Sequence, residues 1–126
     1  MAGLVFDARA LALLDSKNNA SRRRLVALVN EAACEGLSIH VPMTVLAQAY
    51  FDGKRQAELM RFLTRAYVKR ETLDFDVAKR VGEERKRTRH YDVVDQHVAV
   101  VAQRGGLTVV TSDSDYDRLN LTVIHV

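Results

Sequence analysis

Short apolar runs alternate along this chain with longer segments whose apolar side chains recur every three to four positions. Residues 3–7, 37–41, 68–73, 107–111 and 121–126 have the length and composition of strands. The run Leu107-Thr108-Val109-Val110-Thr111 is continuous and rich in β-branched residues, as a central parallel strand requires. Residues 68–73 read as a more polar strand.

The intervening segments carry helical spacing and helical punctuation. A short helix is predicted over residues 8–14, with Leu11 and Leu14 on one side, followed by a polar loop over residues 15–19. Ser21 is the expected N-cap of the next helix, which puts Leu25, Leu28, Val29, Ala32 and Ala33 on one face and Cys34 near it. Gly36 ends that helix as a C′ residue would. Pro42 opens a helix to Tyr50, at a first-turn position where its missing N–H does no harm. After the break at Asp52-Gly53, residues 56–67 are predicted helical, with Leu59, Met60 and Leu63 on one face and Phe62 at its margin. Asp74 and Asp92 are the expected caps of helices over residues 75–89 and 93–104, the second stopped by Gly105-Gly106. A further short helix is predicted from Ser114.

Strands alternating with helices imply right-handed βαβ crossovers. The expected fold is therefore α/β: a mostly parallel, about five-stranded sheet covered on both faces, in one domain over residues 1–126. Composition agrees, with 48% hydrophobic and 28% charged residues excluding a disordered or fibrous chain. No run approaches a membrane span, and no signal-peptide pattern precedes the first strand. Cys34 is the single cysteine, so no internal disulfide can form and a cytoplasmic setting is expected. The net charge of +3 is unevenly spread, with dense basic runs at Arg22-Arg23-Arg24 and at Arg85-Lys86-Arg87-Thr88-Arg89. These are either phosphate contacts or solvated helix faces.

Candidate chemistry lies in the acidic and amide groups at the ends of the apolar runs. Asp7 follows Leu4-Val5-Phe6, Asp113 follows Val109-Val110-Thr111-Ser112, and Gln48 and Asp95 sit on the helices after Pro42 and Asp92. Loops at the carboxyl ends of parallel strands carry function, and converging carboxylates hold hard divalent cations. Asp7 shows no evident capping motif and is the first candidate; Asp92, Thr111 and Asp115 are supporting ones. The histidines form no ligand spacing and are expected in core or surface roles. No glycine-rich phosphate loop follows the first strand, which argues against a flavodoxin-like small-molecule binder.

Four segments, Val5-Phe6-Asp7-Ala8-Arg9-Ala10-Leu11, Pro42-Met43-Thr44-Val45-Leu46-Ala47-Gln48, Asp92-Val93-Val94-Asp95 and Val110-Thr111-Ser112-Asp113, resemble in order and spacing the signatures of PIN domains, especially VapC-type ribonuclease toxins. That resemblance implies a Rossmann-like three-layer sandwich. It implies an endoribonuclease dependent on Mg²⁺ or Mn²⁺, with Asp7, Asp95 and Asp113 as catalytic metal-binding residues and Asp92 as a further ligand. It also implies RNA (tRNA or rRNA) as substrate, a cognate antitoxin as partner, and a homodimer. Arg9, Arg22, Arg23, Arg85 and Arg87 are the candidate RNA contacts. Gln48 stands where most family members have glutamate and brings no charge. The competing expectation is a degenerate PIN-fold module that binds RNA or protein without cutting it.

Overall fold

In the computed structural model, which describes residues 3–112, 116 and 119–126, five parallel strands are ordered β3-β2-β1-β4-β5. The strands are β1 (Gly3–Phe6), β2 (Ser38–Pro42), β3 (Val68–Glu71), β4 (Thr108–Thr111) and β5 (Val123–His125). The helices are α1 (Ala8–Ala12), α2 (Ala20–Cys34), α3 (Met43–Ala49), α4 (Ala57–Leu63), α5 (Phe75–Thr88) and α6 (Val93–Gly105), with a 3₁₀ turn at Leu13–Asp15. β1 is the pivot. The chain leaves it in one direction to build β2 and β3, then crosses back to lay β4 and β5 on its other side. With right-handed crossovers, that reversal sends helices to both faces of the sheet. It also opens a crevice at the carboxyl ends of β1 and β4, the topological switch point.

Burial explains why these residues form these elements. β1 and β4 are covered throughout, which suits their unbroken apolar runs. β3 is an edge strand, and only Val68 of its four residues is buried while Lys69 and Arg70 are exposed. Most of the core is one cluster, with Leu4, Val5 and Phe6 at its centre; Val77, Val81 and Val100 form a smaller one that seats α5 on α6. Phe6 stacks on Phe62 at a centroid distance of 5.4 Å and an interplanar angle of 8°.

Several boundaries depart from expectation, each for a local reason. Asn19, not Ser21, caps α2, accepting from Arg22 N at 2.9 Å; the Ser21 hydroxyl instead donates to Val126 O at 3.2 Å. The first helix stops at Ala12 and tightens into the 3₁₀ turn. The segment expected helical over 56–67 is helical only over Ala57–Leu63. Gln56 precedes it as a buried strut, accepting from Phe51 N and Asp52 N and donating to Ala49 O. Asp15 receives the α4 amides of Glu58 and Leu59, which starts the helix there. The inward face also differs: Phe62 is buried with Leu59 and Leu63, whereas Met60 is exposed. Cys34 and Ala33 are exposed, because α2 presents Leu25, Val29 and Ala32 to the core. β3 ends at Glu71 and β5 covers only Val123–His125. The helix expected from Ser114 lies outside the described residues. Among the described residues, no helix is long and apolar enough to cross a membrane.

Removing the Phe62 ring should leave a cavity beneath β1. Phe62→Ala is expected to lower stability by about 3–5 kcal/mol in urea unfolding. A loss below about 1 kcal/mol would show that the ring is not part of the core.

Candidate active site

The crevice at the switch point is built around two carboxylates. Asp7 follows β1 directly and is 4% exposed. Its extended backbone makes it the N-cap of α1, and Oδ1 accepts from Ala10 N at 2.8 Å. Oδ2 accepts a short hydrogen bond from the hydroxyl of Thr111, the last residue of β4. Asp7 therefore does have a structural role that its sequence surroundings hid. Capping and a hydroxyl donor favour the ionised form of a carboxylate that is otherwise out of water.

Asp95 comes in from the other side of the sheet. It stands in the first turn of α6, where the helix dipole favours a negative charge. Asp92 caps that helix as expected, its Oδ1 accepting from Asp95 N at 2.8 Å. The Asp95 side chain is held at both oxygens: His90 Nε2 lies 2.9 Å from Oδ2, and the Tyr116 hydroxyl donates to Oδ1 at 3.0 Å. Tyr116 is 1% exposed. Burial pushes its phenol far up, and the neighbouring carboxylates of Asp7, Asp95 and Asp92 push it further, so it remains a donor. The Tyr116 hydroxyl thus bonds Asp95 and lies within the electrostatic reach of Asp7.

The other candidates are distributed less tightly. Gln48 is exposed on α3. Asp113 and Asp115 lie outside the described residues. Arg9 and Arg23 are exposed; Arg22 donates through Nε to Leu14 O at 3.4 Å. On α5 the arginines are already engaged. Arg85 Nε donates to Tyr91 O at 2.7 Å, and Arg87 and Arg80 bracket the buried Glu84, with Arg87 Nη2 at 2.5 Å and Arg80 Nε at 3.1 Å. The hydrogen bond from Arg87 holds the Glu84 carboxyl below its ordinary value, against an opposing push from burial.

Sequence reasoning missed Tyr116 and His90, while His97 takes the core role expected of it. The signal for Tyr116 was a phenol closely following Asp113; for His90 it was the sole imidazole beside the cap of α6. His97 is fully buried and joins α6 to α3 through Nδ1 and the Thr44 hydroxyl, 2.7 Å apart. Its Nε2 has no hydrogen-bond partner of good geometry among the described residues. Burial lowers its pKa, against smaller opposing effects of the Thr72 backbone and the Glu71 carboxylate.

Among the described residues, no three His, Cys, Asp or Glu side chains form a ready metal cage. The groups around Asp7 and Asp95 are carboxylates and hydroxyls with one imidazole, His90, and no thiolate. That set suits Mg²⁺ or Mn²⁺ rather than Zn²⁺.

The family model for the PIN domain matches residues 5–121, and the chain belongs to that family. Solved structures give the same architecture. The Mycobacterium tuberculosis toxin VapC20, described as cleaving the sarcin-ricin loop, aligns at a TM-score of 0.80 and 16% identity, covering 98% of this chain and 100% of that one. VapBC2 from Rickettsia felis, solved bound to promoter DNA, aligns at 0.70 and 16%, with 97% of each chain covered. FitAcB from Neisseria gonorrhoeae aligns at 0.68 and 16%, covering 97% of this chain and 96% of that one. Comparison with curated proteins gives no match.

Two outcomes are expected from this geometry. Asparagine caps as well as aspartate, so Asp7→Asn should unfold within about 1 kcal/mol of the native protein. Asp7→Ala should lose roughly 2–4 kcal/mol, from the cap and from a Thr111 hydroxyl left without its acceptor. Equal denaturation midpoints for the two variants would contradict the capping role. Glu84, with its pKa lowered in the fold, stabilises above its ordinary value of 4.5, and that contribution disappears as pH falls through the lowered one. Acid titration followed by circular dichroism should therefore show a shallower loss of stability below pH 4.5 in Glu84→Gln.

Proposed function

We propose that this protein is an endoribonuclease of the VapC kind, cutting RNA phosphodiesters at the acidic crevice between the carboxyl ends of β1 and β4. The observation that carries the proposal is a buried Asp7 at the switch point, held by Ala10 N and Thr111, with an Asp95 carboxylate held by the Tyr116 hydroxyl that Asp7 also influences. A carboxylate held out of water as Asp7 is, with backbone and hydroxyl donors fixing it, is costly unless it serves a cation or a reacting group.

Asp7 and Asp95, with Asp113 from the matching segment, would hold Mg²⁺ or Mn²⁺, and Asp92 would assist. Such an ion supplies Lewis acidity and a more acidic bound water. The chain contributes position. Thr111 and Ala10 N fix the Asp7 carboxylate, and His90 and the Tyr116 hydroxyl fix that of Asp95. Arg9, Arg22 and Arg23 at the start of α1 and α2 would meet phosphates, and Arg85 and Arg87 would add positive charge along α5. Gln48 adds a neutral oxygen where a carboxylate would strengthen cation binding.

The likeness to VapC and FitAB structures supports a small antitoxin as partner, in a cytoplasmic setting. Phe51, Phe75 and Tyr91 are at least 62% exposed and offer apolar surface for such a partner or for a second copy of the chain. Phe62 is not available for a dimer contact, since it lies in the core; Met60 is.

The test is incubation of purified protein with tRNA and structured ribosomal RNA fragments in Mn²⁺, Mg²⁺ or EDTA. Discrete cleavage should appear only with metal, and Asp7→Asn should reduce it on the order of 10²–10³-fold, the loss of several kcal/mol of charge stabilisation. Gln48→Glu should increase it. RNA binding that persists in EDTA without any cleavage, in native protein and Gln48→Glu alike, would make the protein a binding module instead.

A further inference from the structure

We infer that His90 and Tyr116 are positioning residues for Asp95, one donor on each carboxylate oxygen, which hold that carboxylate ready for a divalent cation. The inference rests on the nuclease reading of the same crevice. An ionised carboxylate offers about four lone-pair sites on its two oxygens. His90 Nε2 occupies one at Oδ2, at 2.9 Å, and the Tyr116 hydroxyl occupies one at Oδ1, at 3.0 Å. One site on each oxygen remains. The two bonds together fix the carboxylate's rotation, which a single bond would leave free to swing. Since the carboxylate only accepts, the imidazole tautomer that forms this bond carries its proton on Nε2.

His90 is itself built into place. It sits in the four-residue connector between α5 and α6, right after Arg89, whose positive φ of 57° ends α5. Gln96, 1% exposed, donates through Nε2 to His90 O at 3.0 Å and to Thr88 Oγ1 at 2.7 Å. Thr88 Oγ1 donates to Glu84 O and accepts also from His90 N, so this hydroxyl uses its donor and both lone pairs. Arg85 anchors the far side of the connector at Tyr91 O. A buried glutamine and a saturated hydroxyl spent on one exposed-side connector are hard to explain by helix packing alone. They are what orienting an imidazole toward a carboxylate requires. Ligand carboxylates that are themselves hydrogen-bonded bind metal more tightly, and loss of such a partner typically costs about 10- to 100-fold in affinity.

The experiment measures Mn²⁺ binding directly, by the loss of the free-ion electron paramagnetic resonance signal, with thermal unfolding recorded in parallel. Native protein, Asp95→Asn, His90→Ala, His90→Gln and Tyr116→Phe are compared. Gln places an amide N–H where His carries Nε2–H, and Phe keeps the packed ring. The expected result is native binding that Asp95→Asn abolishes, weakened about 10- to 100-fold in His90→Ala and Tyr116→Phe and largely restored in His90→Gln. Unchanged Mn²⁺ affinity in His90→Ala and Tyr116→Phe would overturn the inference and leave the nuclease reading standing. Tighter binding in those variants would also overturn it, by making the two donors competitors of the ion. Absence of Mn²⁺ binding by the native protein would overturn the metal site and the inference together.

Discussion

One buried carboxylate ties this fold together. Asp7 lies where the central strand ends, caps the helix that follows and takes a hydroxyl hydrogen bond from the end of the strand next door. A carboxylate so little exposed is expensive unless every donor around it is in place. The requirement runs outward from there. β4 must lie beside β1 in register, with Phe6 opposite Val110, for Thr111 to reach Asp7. α1 must start at Ala8 for its amides to point at the same side chain. The crevice is thus a product of the same three elements that define the switch point, and its acidity is inseparable from its architecture.

Much of this was legible from the order of residues. Periodicity located the strands, because buried parallel strands need continuous apolar runs and β1 and β4 have them. Asp74 and Asp92 were recognisable as caps, and both accept the amide three residues on. Asp7 and Asp95 were recognisable as candidates from where the strands and helices end. Contacts between remote segments were not legible. That Phe62 rather than Met60 faces inward depends on Phe6, 56 positions earlier, being ready to stack on it. Asn19 outcompetes Ser21 because the Ser21 hydroxyl finds Val126 at the far end of the chain. Cys34 followed the helical stripe on paper, but α2 ends as it turns away from the sheet. Tyr116 and His90 became visible only once Asp95 had been placed between them.

The charge distribution makes sense in the same terms. A near-neutral balance conceals an acidic crevice and a basic exterior. Part of that exterior is structural: Arg80 and Arg87 neutralise Glu84, and Arg85 braces the connector that carries His90. Counting basic residues along α5 therefore overstates the charge available to a nucleic acid. Arg23 and Arg9 are more accessible. At the sheet's rim, Lys69 and Arg70 turn β3 into a charged border that resists the addition of a further strand.

The Thr111–Asp7 contact joins positions 104 residues apart. β1 is made before the other four strands of the sheet yet acquires one of its two neighbours only after α6 has been made. Long-range parallel pairings of this kind form late, because loop closure must precede the contacts that reward it. A growing chain held on a ribosome would consequently carry Asp7 without Thr111 or Tyr116, and without the crevice they complete. Order of synthesis, through nothing more than topology, keeps the acidic centre unassembled until β4 and Tyr116 have been made.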